Sequence, residues 1–281
     1  MSALAADRVT RAFGEVVAVD DVSLEVANGE VVGLVGANGA GKTTLIRLLL
    51  GLLGPDRGDV RLAGGVPSRA TRRKVGYVPQ GLGLWADLSL REHLSLSAEV
   101  YGYGDRTVED AGLAAVADRP VGSLPLGLRR RAAFVVALAH RPDVLLLDEP
   151  TAGVDPLARS RLWDTIGEVA VGGAGVLVST HYLDEAARCD RVVLLAAGRS
   201  VADGVVADLI ADRRTVLVST SAWQQAWQRL DDEGLRVLPA GRDLRVVDAD
   251  VDRVREVLAT IDADVDEVAA TLEEVVLELT T

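Results

Sequence analysis

Residues 36–43 read Gly36-Ala37-Asn38-Gly39-Ala40-Gly41-Lys42-Thr43, which fits the spacing G-x-x-x-x-G-K-[ST]. Glycines at these intervals let the backbone wrap a triphosphate with several N–H groups aimed inward. A helix that follows adds its unpaired N–H groups and its dipole. Lys42 then offers a compact cation to the β- and γ-phosphates, the Thr43 hydroxyl is placed to ligate Mg²⁺, and Thr44 extends the nucleotide-binding stretch. Lys42 and Lys74 are the only lysines beside 28 arginines, so lysine at this position is a choice of chemistry. The cradle alone leaves kinases, GTPases and many ATPases open.

A second acidic strand narrows the field. Val144-Leu145-Leu146-Leu147-Asp148-Glu149-Pro150 puts two carboxylates at the end of an apolar run, where open α/β sheets place their nucleotide sites. Asp148 can hold the metal through a water, and Glu149 can polarise an attacking water. Small kinases have little use for the second carboxylate.

These groups need rigid elements behind them. Glu30–Val35 predicts a buried strand ahead of the cradle, and Thr43–Leu53 a helix after it, stopped by Gly54-Pro55. Val75–Val78, Val144–Leu147, Gly175–Ser179 and Val192–Leu195 are further short apolar strands. Residues from about Leu88 to Ala139 read mostly helical, interrupted near Pro120 and Pro125. Apolar strands alternating with helices mean a mainly parallel sheet covered on both faces.

Composition sets limits. The formal charge is −12, and from Val201 onward 18 Asp/Glu face 8 Lys/Arg, a net of −10. That argues against nucleic acid as a partner, since phosphate neutralisation needs surplus Lys and Arg. The charge break near residue 200 marks a change of domain. Beyond it, Thr215–Ser219, Leu235–Leu238, Leu244–Val247 and Val265–Val268 read as strands. Ala222–Glu233, Val251–Ile261 and Thr271–Leu279 read as helices, an order that suits a split βαβ unit. No apolar run approaches the ~18 residues that span a bilayer, and no secretory leader is expected. Cys189 is the single cysteine, which fits a reducing compartment and a small packed residue before a strand.

With these motifs in order, the chain resembles the ABC transporter ATPases over roughly residues 7–210. The resemblance implies a P-loop NTPase (RecA-like) α/β core with an antiparallel β subdomain and a helical subdomain at about 85–140. Residues 1–210 would form this cassette and 211–281 a small acidic α+β accessory domain. It further implies that Phe13 stacks on adenine, although Phe13 read by itself could be a core aromatic. Gln80, in Gly-Tyr-Val-Pro-Gln, would join the metal site. Asp148 and Glu149 would be the metal carboxylate and the catalytic base. Ala152-Gly153-Val154-Asp155 would form the D-loop, and His181 would touch the γ-phosphate. ATP and Mg²⁺ are the implied cofactors. Transmembrane permease subunits and a second cassette are the implied partners, on the cytoplasmic face of the membrane.

The wording from Gln80 through Leu84-Trp85-Ala86-Asp87 to Leu94, and the ending Ala270–Thr280, are similar to ABC-2 and drug-resistance exporters. Trp85 would then anchor a permease segment, or simply pack. The family's signature, Leu-Ser-Gly-Gly-Gln, is here Leu124-Pro125-Leu126-Gly127-Leu128, placed before a helix expected over Arg129–Ala139. Pro125 lacks both hydroxyl and N–H, and Leu126 adds a side chain where close approach is wanted. Losing one or two such donors is worth about 2–4 kcal/mol in a transition state. A helix-start variant of little consequence is the bland alternative, since Gly127 and the helix dipole remain. An asymmetric pair of cassettes is preferred to a homodimer with two slow sites. The rival readings are a soluble ABC ATPase outside transport and a non-hydrolysing regulatory subunit.

Overall fold

A computed structural model describes residues 2–102 and 112–279. Part of the helical stretch expected between Leu88 and Ala139, and Thr280 of the exporter-like ending, lie outside those residues. The chain divides into two compact units, Met1–Asp203 and Gly204–Thr281. The division falls close to the charge break near residue 200 and ahead of the 210/211 boundary that the resemblance implies.

The first unit opens on two long strands, β1 (Ser2–Phe13) and β2 (Val16–Ala27), folded as a hairpin with Gly14 at positive φ. Register shifts near Arg8 and Asp21, both left-handed, bulge the hairpin and increase its twist. Next come β3 (Val31–Val35), α1 (Lys42–Leu49), β4 (Arg57–Leu62), the single turn α2 (Arg69–Arg72) and β5 (Val75–Val78). β1 sits between β2 and β4 in an antiparallel three-stranded sheet. Then follow α3 (Leu90–Tyr101), α4 (Leu126–Leu138), β6 (Val144–Asp148), α5 (Pro156–Val171) and β7 (Gly175–Thr180). The unit closes with α6 (Leu183–Ala186), β8 (Arg191–Ala196) and β9 (Arg199–Gly204), whose last residue opens the second unit.

The central sheet has the order β5-β6-β7-β3-β8-β9. Its strands β5, β6, β7, β3 and β8 pair in parallel. Every residue of β3, β6 and β7 is buried, which is why these segments are apolar runs rather than alternating ones. Leu45, Ile46, Leu48 and Leu49 of α1 pack on one face with the β1–β2–β4 sheet. Phe134 and Leu138 of α4 and Trp163 and Ile166 of α5 cover the other. The helix α3 starts with a full capping box: Glu92 N–H donates to the Ser89 hydroxyl, and Ser89 N–H donates to the Glu92 carboxylate at 2.7 Å.

The register brings the strand ends together. Val35 of β3 lies opposite Thr180 of β7, and Asp148 of β6 opposite Ser179. The carboxyl ends of the three central strands therefore finish together. One boundary differs from the sequence reading: α4 begins at Leu126, not Arg129, with Pro125 as its N-cap. Proline has no N–H to lose in a first turn, so the helix reaches back to it.

The second unit comprises α7 (Val206–Ile210), β10 (Arg214–Ser219), α8 (Trp223–Asp232), β11 (Arg236–Ala240), β12 (Asp243–Val247), α9 (Val251–Val257), β13 (Asp264–Ala269) and α10 (Leu272–Leu279). Its antiparallel sheet, ordered β11-β12-β10-β13 with α8 and α9 as crossovers, is the β-α-β-β-α-β split unit. Val216, Val218, Leu244 and Val246 pack against Ala226, Leu230 and Val254 of the two helices. The helix α9 stops at Val257, four residues short of the sequence reading.

Candidate functional site

Between β3 and α1 the chain turns so tightly that two glycines are obligatory. A Cβ on Gly36 would stand 2.3 Å from the Leu195 carbonyl oxygen. Gly41 has φ of 104°, and its Cβ would stand 2.3 Å from the Ala18 carbonyl oxygen. The turn delivers Lys42 as the first residue of α1, a helix with no acidic residue in its first turn and no side-chain cap. Its first N–H groups and the positive end of its dipole are thus left for a ligand. Asn38, Gly39, Gly41, Lys42, Thr43 and Thr44 line a cavity of 290 Å³, with Gln80 and Glu149 across from them and Ala18 at the side. Ala40 is buried beneath the turn, in contact range of Gly36.

Lys42 is 5% exposed. Its Nζ donates to the carbonyls of Gly36 (2.7 Å) and Ala37 (3.0 Å) and lies 3.3 Å from Glu149 Oε1. Carbonyl dipoles and a carboxylate take the place of the water this buried ammonium gives up.

Asp148 ends β6 and is 1% exposed. Its Oδ1 accepts from the Ser179 hydroxyl at 2.7 Å and the Thr43 hydroxyl at 3.2 Å, while Oδ2 has no partner among the described residues. A buried carboxylate oxygen without a donor, next to a threonine hydroxyl at the phosphate end of the cradle, fits Mg²⁺. That ion takes one or two protein oxygens and completes its shell with phosphates and water. No group of three His, Cys, Asp or Glu side chains that could hold a metal occurs among the described residues.

Glu149 follows with φ of 49°, a left-handed conformation that costs a non-glycine residue about 1–3 kcal/mol. Its N–H donates to the Ser179 hydroxyl at 3.0 Å. Its carbonyl accepts from Arg130 Nη1 at 3.0 Å, and the same nitrogen donates to the Pro150 carbonyl at 2.5 Å. So held, the Glu149 carboxylate meets three side chains. Lys42 lies on Oε1; Gln80 Nε2 at 3.4 Å and His181 Nδ1 at 3.5 Å lie on Oε2. Burial pulls the Arg130 guanidinium below its usual range, with Tyr182 and Glu149 pulling it back up.

Ser179, Arg130 and Ala18 were not singled out from the sequence. Ser179 had no local signal, since only the sheet register brings it opposite Asp148. Arg130 had none among three consecutive arginines.

The remaining sequence-predicted residues do not line this cavity. Phe13 ends β1 at 46% exposure under the Arg11 guanidinium, 5.0 Å above its ring, so the core-aromatic reading fails. Pro125, Leu126 and Gly127 start α4, with Leu126 42% exposed beside Gly153 and open space around Gly127. Asp155 accepts from Ala158 N–H at 3.0 Å and caps α5. Trp85 is 60% exposed, stacked on His93 at 5.8 Å, at the rim of a 380 Å³ groove that includes Tyr77, Leu84, Leu96 and Val100. The Cys189 thiol is pushed by burial up to about 12, which makes it inert packing against Gly33.

Comparison with known proteins follows the same lines. Residues 19–152 match the ABC transporter family. Nod factor export ATP-binding protein I of Paraburkholderia xenovorans (strain LB400) is 40% identical over 222 residues, spanning 75% of this chain and 73% of that protein. The Escherichia coli (strain K12) protein named Probable multidrug ABC transporter ATP-binding protein YbhF is 38% identical over 217 residues. That match takes in 73% of this chain and 38% of YbhF, so the chain spans well under half of that relative. A solved structure described as the ATP binding subunit of an ABC transporter superposes with a TM-score of 0.68 at 31% identity. It covers 74% of this chain and 92% of its own.

Proposed function

The chain belongs to the ATP-binding proteins of ABC transporters and is an ABC ATPase; from that premise we propose that it energises an exporter of the ABC-2 type carrying lipophilic or drug-like compounds. The observation that carries this reading is the meeting of Lys42, Gln80 and His181 on the Glu149 carboxylate, beside Thr43 and Asp148. Export is supported by the two relatives, one named for Nod factor export and one for multidrug transport.

In this reading the triphosphate of ATP lies on the N–H groups of residues 38–44. Its oxygens take over the Lys42 ammonium from the Gly36 and Ala37 carbonyls. Phe13 offers its exposed face to adenine. Thr43, Asp148 and Gln80 would hold Mg²⁺, which when bound neutralises charge on the β- and γ-phosphates. Glu149 orients a water toward the γ-phosphorus and draws off its proton, and His181 contacts the γ-phosphate; ADP and inorganic phosphate leave. No helix among the described residues is long and apolar enough to cross a membrane; in this reading a permease partner supplies the transport path, as the names of the relatives suggest. The groove rimmed by Trp85 receives that partner and holds this chain at the membrane's cytoplasmic face.

A second cassette completes the site by presenting a signature segment to this chain's ATP. The segment this chain presents in return, Pro125-Leu126-Gly127 together with Asp155 of the D-loop, lacks the usual hydroxyl and one glycine. The pair is therefore asymmetric: this chain's ATP is hydrolysed when the partner carries intact donors, and the partner's ATP is held. The test is copurification with a multi-span permease and assay of the reconstituted complex. Glu149→Gln should abolish hydrolysis and transport while ATP still binds. A complex that hydrolyses ATP at the wild-type rate with Glu149→Gln, or a chain that never associates with a permease, contradicts the reading.

A further inference from the structure

Where β6 ends, the backbone leaves the ladder and Glu149 adopts its left-handed turn. That turn points the carbonyls of Glu149 and Pro150 away from the sheet and toward α4, where Arg130 Nη1 receives both, at 3.0 and 2.5 Å. Arg130 is 7% exposed, and among the described residues it makes no ion pair and its Nε has no partner. Burying a cation only to hydrogen-bond two carbonyls is a poor way to stabilise a helix–strand junction; a neutral amide costs less to desolvate. What the arrangement does achieve is to fix one residue. Glu149 is held at its N–H by Ser179 and at its carbonyl by Arg130, so its strained φ persists and its carboxylate stays among Lys42, Gln80 and His181.

We propose that Arg130 is a positioning residue for hydrolysis: its guanidinium, donating to the carbonyls of Glu149 and Pro150 from within α4, holds Glu149 in the left-handed turn that aims its carboxylate at the γ-phosphate. The inference rests on Glu149 being the group that directs water. Without the guanidinium, Glu149 relaxes toward extended backbone and its carboxylate swings off the Lys42 ammonium. A lysine at this position reaches one carbonyl with a point charge, and methionine fills the space without a donor.

The experiment uses the full chain in its transporter complex, with ATP affinity and turnover measured for Arg130→Met, Arg130→Lys and Glu149→Gln. Arg130→Met should lower kcat about 30-fold with ATP affinity within about twofold, and Arg130→Lys should recover about a third to a tenth of the wild-type rate. Added to Glu149→Gln, Arg130→Met should cost less than about twofold more, because the group it positions is already gone. A readout free of turnover is the crystal structure of Arg130→Met. There, φ of Glu149 should leave the left-handed region and the 3.3 Å contact with Lys42 should open.

Wild-type kcat in Arg130→Met, an unchanged Glu149 in its structure, or equal loss of kcat, affinity and melting temperature in all backgrounds overturns the proposal. Should Arg130→Met not fold, Arg130→Lys carries the test by its partial loss of kcat at unchanged ATP affinity and melting temperature. If Glu149→Gln leaves hydrolysis intact, the reading of the site itself is wrong. If Glu149→Gln abolishes hydrolysis and Arg130→Met does not lower it, only this inference falls.

Discussion

The strand ends around Lys42 and the start of α4 are both places where the backbone has groups to spare, yet they are furnished in opposite ways. At the first, Gly36 and Gly41 clear space for backbone approach, α1 begins without a capping side chain, and Thr43, Asp148, Glu149 and His181 bring polar groups to one point. At the second, Pro125 removes an N–H and any hydroxyl, and Leu126 places an exposed apolar side chain beside Gly153. The helix forms all the same, because its first turn never needed that N–H. A helix N-terminus can thus keep its fold while losing its phosphate chemistry. In the proposed reading the first region holds and cleaves a nucleotide, and the second presents a weakened surface to a neighbour's.

Variants at each end sharpen the contrast. The largest effect belongs to Lys42→Met: it removes the cation from a buried carboxylate and from the phosphates at once. ATP affinity should fall about 300-fold, read by titration with a fluorescent nucleotide. Next is restoration of the second region. Pro125→Ser with Leu126→Gly should raise the ATPase rate of the lone chain about 30-fold, the lower end for one or two recovered donors, since Gly127 is already present. No gain in phosphate release would place the rate limit elsewhere. Smaller again is Asp155→Ala, which deletes the cap of α5 and should cost about 1 kcal/mol. In a chain of this size that lowers the melting temperature by about 2–4 °C, measurable by calorimetry.

The smallest effect lies away from both ends. Burial holds His140 below its ordinary range, stacked on Tyr101 at 3.9 Å. The folded chain therefore takes up this proton less readily than the unfolded chain. The stability it protects is intact above about pH 6.5 and declines as pH falls below that. His140→Gln should flatten the acid limb of a plot of melting temperature against pH and leave the alkaline side unchanged.

Much of the first region was legible because its chemistry is local. A cradle needs its glycines, lysine and threonine consecutive in the chain, and a buried parallel strand cannot hide its apolar run. The long strand β1 was not read, since its alternation is interrupted by the left-handed Arg8 and it finds its partners β2 and β4 on either side in space. The start of α4 was set three residues late, at Arg129, because Leu126-Gly127-Leu128 was read as the signature segment ahead of the helix rather than as its first turn. Ser179 and Arg130 stayed hidden for a different reason. Both act on Asp148 or Glu149 from other elements, and only the sheet register and the seat of α4 bring them there.

A crystal structure of the protein with Mg²⁺ and a non-hydrolysable ATP analogue bears most directly on the central claim. The account predicts Lys42 Nζ on the β- and γ-phosphates in place of the Gly36 and Ala37 carbonyls, Asp148 and Thr43 flanking the ion, and the Glu149 carboxylate facing the γ-phosphorus. A nucleotide seated elsewhere, or Lys42 still bound to its two carbonyls with the triphosphate lying beyond its reach, would contradict it.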